Sequence, residues 1–453
     1  LLAYCLSIIL CVSFTGCMEN YLDLYPEDKI TSASFPENES DIKLLLNGVY
    51  AQLREKEVYN QGLFGFGITD GATPNAFNWG TDEVFTKLGA GRLSSSDGGV
   101  VTYRWKRCYE IISRANYLLA CMDLVDLSEE AKAKYSGETH FLRGLAYSVL
   151  AETYGGVPII LTNISTEEAR SLKRASLEET WQQALDDYEV AITNLGVDAP
   201  EPGRATKGAA LGMKMRAYLY QGKYKEVLAC VEQIDALKKY GLFHSYEGLF
   251  DPANENNKEV LFDIQYIEGE NSQGSYIDQY CGTGTGSWTR GSRYVPTDDL
   301  VAAYETIDGS PVDPENPYEN RDPRLGFTAV LPGSYFLGYR FPNYLYPGGA
   351  FNHAGNRLKH LSTRKYRIQD ESKLPPSGQS YINDIILRYA DVLLSKAEAI
   401  IETNGNVADA IAILNRIRTE RDDVKISLLP TSMSREEARE KVRHERRIEL
   451  ALE

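Results

Sequence analysis

The sequence predicts a mostly α-helical fold: pairs of packed helices that carry one large irregular lobe of loops and short β-strands. Three observations predict it. Apolar residues recur at helical spacing through much of residues 41–239 and again through 385–453. Turn residues such as Gly222 and Asn404-Gly405 punctuate those stretches at hairpin spacing. Between them, residues 240–384 are dense in Gly, Pro, Asn, Tyr and Asp and mostly lack a helical period.

The elements follow in order. Residues 1–16 have the length of a signal-peptide apolar region and are shorter than the ~20 residues a spanning helix takes. No initiator Met and no basic segment precede them, so a clipped start is expected. Phe14-Thr15-Gly16-Cys17 resembles a bacterial lipobox, which implies cleavage before Cys17 and lipidation there, palmitate included. Two or more acyl chains hold firmly, because each buried CH₂ contributes about 0.8 kcal/mol. Residues 17–40 then form a tether. In 41–54, Ile42, Leu45, Leu46, Val49, Tyr50 and Leu53 mark one helix face. Residues 60–100 are aperiodic and rich in Gly, Ser, Asn, Thr and aromatics, a long loop of the kind that carries function.

Helical pairs come next: 101–122 with 129–154, then 177–195, with Ser176 as N-cap and Glu179 completing a capping box. Residues 205–221 and 223–238 pair across Gly222. Residues 385–402, 406–421 and 434–453 close the chain. Hairpins of this length, with Ala209, Ala210 and Ala217 at crossing points, resemble tetratricopeptide (TPR) units. Within 240–384 one helix is expected at 297–305 and a strand at 257–265. This lobe is expected to pack on the helices, so that 41–453 forms one unit. Trp105 and Trp181 lie in helical stretches and are expected in the core.

Composition narrows the function. With 48 Lys and Arg against 64 Asp and Glu, the net charge is −16. That argues against nucleic acid and against adsorption to an anionic membrane surface. Five histidines offer little for a His-based metal site or triad, whereas 30 tyrosines suit a binding surface with polar handles. Cys108, Cys121, Cys230 and Cys281 show neither zinc-site nor disulfide-framework spacing and are expected as buried thiols. The Gly-Thr run 282–286 lacks the Lys of a phosphate loop. The acidic stretch from Asp308 to Asp313 carries oxygen ligands of the kind calcium takes, but not at EF-hand spacing. No cofactor is expected.

Several stretches, in order, resemble the SusD/RagB family of outer-membrane nutrient-binding lipoproteins. They include the segment from Tyr21 to Asp28, Leu46-Asn47-Gly48-Val49-Tyr50, and Phe141-Leu142-Arg143-Gly144 through Tyr154-Gly155-Gly156-Val157-Pro158. They continue with Arg174-Ala175-Ser176, Gly203-Arg204-Ala205-Thr206-Lys207, and Asn320-Arg321-Asp322-Pro323-Arg324-Leu325. The last are the segment from Leu387 to Leu394, Leu414-Asn415-Arg416-Ile417-Arg418, and Glu445-Arg446-Arg447-Ile448-Glu449-Leu450. The resemblance spans 17–453. It implies a SusD-like α superhelix and a C-terminal helix that continues past residue 453. It further implies a non-enzymatic protein facing the cell exterior that captures a nutrient glycan for a SusC-like TonB-dependent transporter.

Most matching residues read as structural. Asp391 and Glu398 share a helix face with Leu394, and Arg443, Arg446 and Arg447 are available to pair with them, so ion pairs are expected there and not acid–base chemistry. Arg321-Asp322-Pro323-Arg324 reads as a turn held by guanidinium bonds to carbonyls. Sugars bind through apolar faces on aromatic rings and through hydroxyls on amides or guanidinium groups. Two loops offer that mixture: Phe77, Asn78 and Trp79 in one, and Tyr276, Gln279, Tyr280, Trp288 and Arg290 in the other. A third aromatic run, Tyr335 to Tyr346, is expected to pack. Capture of oligopeptides in the RagB manner, a TPR-like scaffold for a protein partner, and a carboxylate-pair glycosidase are the alternative readings.

Overall fold

The computed structural model describes residues 35–54, 70–78, 87–94, 96–267, 274–275, 294–341, 361–375 and 379–453. Residues 1–34, Cys17 among them, and Cys281 lie outside them.

Twelve α-helices are described: α1 Glu39–Tyr50, α2 Val100–Cys121, α3 Glu129–Tyr154, α4 Thr166–Ser171, α5 Leu177–Asn194, α6 Lys207–Tyr220, α7 Tyr224–Ala236, α8 Asp298–Ala303, α9 Pro323–Thr328, α10 Tyr389–Glu402, α11 Val407–Thr419 and α12 Arg435–Glu449. Local chemistry starts most of the long ones. Asn38, Ser128 and Thr206 accept hydrogen bonds from backbone N–H groups of the first turns of α1, α3 and α6. The expected box of Ser176 and Glu179 opens α5, and a second, Ser434 with Glu437, opens α12. Gly222, at φ +67°, lets the chain reverse between α6 and α7.

The helices pack as successive antiparallel pairs: α2 on α3, α3 on α5, α5 on α6, α6 on α7, and α10 against α7, α11 and α12. Their main core runs from Ile42 on α1 to Val442 on α12 and includes Phe141, Tyr188, Ala210 and Leu394. Gly144 permits the α3–α5 contact, because a Cβ there would sit 3.0 Å from the Tyr188 ring and 3.1 Å from the Ala184 carbonyl. Trp181 is buried in this core, and Trp105 packs against it and against Tyr109 and Tyr154. Cys108, Cys121 and Cys230 are free and buried, as expected.

Eight short strands form two-stranded antiparallel ribbons: β1 Ala76–Asn78 with β3 Tyr294–Pro296, β2 Val260–Ile264 with β8 Asp384–Arg388, β4 Ala329–Val330 with β7 Ser362–Thr363, and β5 Tyr335–Phe336 with β6 Tyr339–Arg340. β8 corrects the sequence reading, which started a helix at 385. The apolar run Ile385-Ile386-Leu387 fits either period, and pairing with β2 decides for strand. α10 begins only after Arg388. α4 and α9 were not anticipated. The aromatic run starting at Tyr335 divides: Phe336 and Phe341 are buried in a small cluster, but Tyr335 is 66% exposed, so it does not pack as expected. Residues 342–346 lie outside the described residues.

A second core joins the 240–384 region to the C-terminal helices. Tyr246, Phe250, Tyr304 and Tyr366 meet Val424, Ile448 and Leu452 there. Beside it lies a buried ion cluster. Arg324 pairs with Asp322, Glu445 and Glu449; Arg388 pairs with Glu259, Glu449 and Glu453; Arg421 pairs with Glu259 and Glu449.

Candidate ligand-binding site

The β1–β3 ribbon organises the region that the sequence singles out. Ala76 pairs with Pro296, Phe77 with Val295 and Asn78 with Tyr294. Because the strands are antiparallel, the last residue of β1 faces the first residue of β3. The chain therefore leaves Asn78 and enters Tyr294 at one end of one ribbon. These are the inner boundaries of the two loops read as ligand-binding, which are more than 200 residues apart in sequence. Phe77 stands 43% exposed, while Ala76, Tyr294 and Val295 are buried. Trp79, Tyr276, Gln279, Tyr280, Trp288 and Arg290, and the side chain of Asn78, lie outside the described residues.

Polar bonds fasten the ribbon to the scaffold. The Thr363 hydroxyl donates to the Tyr294 carbonyl at 3.0 Å, and Thr297 N–H donates to the Asn75 carbonyl at 3.0 Å. On the helical side, Arg447 Nε of α12 donates to Asn75 Oδ1 at 2.7 Å, and Leu452 N–H donates to Asp70 Oδ2 at 3.0 Å. Burial raises the Asp70 carboxyl above the usual range. No local stretch announces these four contacts, since each joins residues 69 or more positions apart.

A second fastening lies further along. After β2 the chain runs through Tyr266 and Ile267, and beyond residues 268–273 Ser275 forms a bridge with Ser380, with N–H···O distances of 2.7 and 3.1 Å. The segment that carries Tyr276 to Arg290 thus departs from this bridge and returns at β3.

Of the two carboxylates weighed for acid–base work, only Asp391 forms the expected ion pairs among the described residues. Asp391 accepts from Arg446 and Arg216, each at 2.6 Å. Burial pushes its carboxyl up, but the two guanidinium groups outweigh burial and hold it below the usual range. Arg446 was an expected partner; Arg216, on α6, was not. Arg443 instead pairs with Glu440, and Arg447 holds Asn75. Glu398 is raised by burial and feels Arg446. Arg321 behaves as read, donating to the carbonyls of Pro317, Val301 and Tyr304 at 2.5–2.6 Å. Arg324 does not: it enters the buried ion cluster.

A cleft of about 430 Å³ is lined by Asp70, Arg216, Tyr220, Asp391 and Arg446, and another of about 450 Å³ by Arg204, Lys239, Tyr240 and Asn257, among others; among the described residues no His or Cys lines either. Asp308 and Asp313 spend their oxygens on turns, to Ser310 and to Glu315 and Asn316. Among the described residues, no group of three or more His, Cys, Asp or Glu is placed to hold a metal ion. No helix among them is long and apolar enough to cross a membrane.

Two family models together match most of the chain. The model described as SusD family matches residues 258–453, and the one described as starch-binding associating with outer membrane matches residues 20–219. The chain belongs to the SusD/RagB family. SusD-like protein P25 of Formosa agariphila is 26% identical over 470 residues, covering 96% of this chain and 84% of the relative. Among solved structures, a SusD-like carbohydrate binding protein from Bacteroides fragilis superposes with a TM-score of 0.80 at 27% identity, covering 92% of this chain and 84% of that one. Surface glycan-binding protein A from Bacteroides uniformis shares the fold, with a TM-score of 0.71 at 18% identity, covering 91% and 86%. The TPR-like helical scaffold read from the sequence is thus the SusD-like one.

Proposed function

We propose that this SusD-family chain binds a nutrient glycan, an oligo- or polysaccharide, without turning it over. It does so as a lipoprotein anchored through Cys17 in the outer membrane, facing the exterior, and it delivers the glycan to a SusC-like TonB-dependent transporter. The observation that carries the reading is the β1–β3 ribbon. Its register joins the boundaries of two loops rich in aromatic and amide side chains, and it leaves Phe77 exposed beside them. Rings for the apolar faces of sugars and amides for their hydroxyls are what glycan capture requires. The likeness to a carbohydrate-binding protein from B. fragilis supports the same ligand class. The ion-paired state of Asp391 supports a protein without acid–base chemistry at that position.

The test is a binding screen on protein beginning at Met18, against polysaccharides, oligosaccharides and peptides, by affinity gel and calorimetry. A glycan hit without product release is expected. Turnover would overturn the non-enzymatic reading, and a peptide hit with silence across glycans would move the chain to oligopeptide capture. The double variant Trp79→Ala, Trp288→Ala is expected to fold normally and lose the glycan; unchanged affinity would put the site elsewhere.

A further inference from the structure

The β5–β6 hairpin is short and tightly held. Leu337 and Gly338, at φ +50° and +76°, form its two-residue turn; Phe336 pairs with Tyr339, and Tyr335 with Arg340. Positive φ at both central residues is the type I′ turn that suits the twist of two antiparallel strands. A leucine is disfavoured there, because its Cβ crowds the following carbonyl. Burial offsets that cost: Leu337 is 2% exposed, in a cluster with Val330, Phe336 and Phe341. Phe341 N–H donates to the Ser334 carbonyl at 2.9 Å and extends the pairing beyond Tyr335 and Arg340. Arg364 lies over the Phe336 ring, 5.8 Å from its centroid.

This small core fixes what the hairpin turns to water. Residues directly opposite in an antiparallel ribbon stand on one face, with Cβ atoms about 4.5–5.5 Å apart. Tyr335 and Arg340 are such a pair, and both are exposed. Among the described residues no carboxylate pairs with Arg340 and no ring stacks on Tyr335. Arg324, Arg388, Arg418 and Arg446, by contrast, all hold carboxylates. A free ring beside a free fork of N–H donors matches the two sides of a sugar, its apolar face and its hydroxyls.

The hairpin is joined to the β1–β3 ribbon through neighbouring strands. β7 lies beside β3, where the Thr363 hydroxyl donates to the Tyr294 carbonyl, and β7 pairs with β4. Residues 331–334 then lead from β4 into the hairpin, whose buried side packs on Val330 of β4. β1, β3, β7 and β4 thus follow one another in space, with Phe77 exposed on the first and the hairpin attached to the last.

We propose that Tyr335 and Arg340 are a second contact point for the captured glycan, and that the protein thereby selects chains long enough to run from the β1–β3 ribbon to the β5–β6 hairpin. The proposal rests on the glycan-capture reading and adds a substrate class to it, an extended chain in place of a mono- or disaccharide. Tyr335 stacks on the apolar face of one sugar residue, and Arg340 donates to hydroxyls beside it. Once the ribbon end is bound, contact at the hairpin is intramolecular, so two modest contacts on one chain bind far better than either alone.

The experiment takes the glycan found in the screen and a ladder of its oligosaccharides, and measures affinity by calorimetry for wild type, Tyr335→Ala, Tyr335→Phe and Arg340→Ala. Wild-type affinity is expected to step up at the length that spans both contacts. Tyr335→Ala is expected to lose about tenfold, ~1.4 kcal/mol, on the long chains and nothing on the shortest one that binds. Arg340→Ala should show a smaller loss with the same length dependence, and Tyr335→Phe, which keeps the ring, should bind as wild type does. Tyr335→Ala binding the longest chain as wild type does, or losing equally at every length, would overturn the second contact and leave capture standing. A Tyr335→Phe variant as weak as Tyr335→Ala would overturn the stacking. Hydroxyl-radical footprinting of the wild-type chain needs no variant: the long glycan should protect Tyr335 and not Tyr117, which is 40% exposed on α2, and an unprotected Tyr335 would overturn the proposal. Silence of every glycan would sink the capture reading and this contact with it.

Discussion

Replacing Glu449 by alanine removes the carboxylate on which three buried arginines converge. Its Oε1 meets Arg388 at 2.7 Å and Arg421 at 2.9 Å, and its Oε2 meets Arg324 at 2.8 Å. All four side chains are 0–1% exposed. Arg324 would keep Asp322 and Glu445, and Arg388 would keep Glu259 and Glu453. Arg421 would keep only Glu259, which it shares with Arg388. Breaking one member out of a buried pair costs about 3–5 kcal/mol, because the partner charge is left short of compensation in low dielectric. We expect a loss in that range for Glu449→Ala, and a smaller one for Glu449→Gln, which keeps the volume and an acceptor. Urea denaturation at pH 7, followed by circular dichroism, measures it. A loss below about 1 kcal/mol, the value of an exposed pair, would refute the claim that this cluster is desolvated and interdependent.

Other expectations follow from single contacts. Gly212→Ala places a Cβ 2.2 Å from the Leu387 methyl and 3.0 Å from that of Leu261, so the Leu387 side chain or α6 itself must give way; overpacking costs about 1–3 kcal/mol, read by thermal melting. Ser176→Ala removes the acceptor for Glu179 N–H and should cost about 1 kcal/mol in denaturant titration, with no effect on ligand binding. Below neutral pH two groups of carboxyls pull stability in opposite directions. Burial raises Glu305, but Arg418 and Lys441 outweigh it and bring it down to about 2; Asp391 and Glu449 are likewise held low by their arginines. Their contribution is complete above the unfolded carboxyl range and is lost as pH falls from about 4.5 toward 2. Glu255 and Asp263 act the other way: their contribution is complete below the unfolded carboxyl range and is lost as pH rises from there through about 6 for Asp263 and about 7 for Glu255. Stability measured against pH should therefore peak in the mildly acidic range and fall steeply below about 4.5; a monotonic rise to pH 8 would contradict the raised pair.

The helices were legible because their instructions are local. The capping residue of α5, Ser176, lies three positions from its partner Glu179, and the apolar face of α1 repeats within four. Asp384–Arg388 was misread for the converse reason. Its run of three apolar residues has no period, and its partner strand is about 120 residues away. The two candidate loops were recognisable as aperiodic and rich in aromatics, but nothing in either stretch says that they begin at one ribbon. Arg216 as a partner of Asp391, and Asn383 between two carboxylates, were invisible for the same reason. A polar residue in a sequence does not announce which distant charge it will meet, and burial alone decides whether that meeting matters.

The sequence by itself determined the helical pairs, the irregular lobe between them, the family resemblance and the acidic balance that argues against nucleic acid. Each is written in residues a few positions apart or in composition. Only the tertiary structure decided the register that joins Asn78 to Tyr294, the partners of the buried arginines and the uncompensated charge at Glu255 and Asp263. These depend on which groups leave water together, and desolvation is a property of the folded chain that no local stretch of it carries.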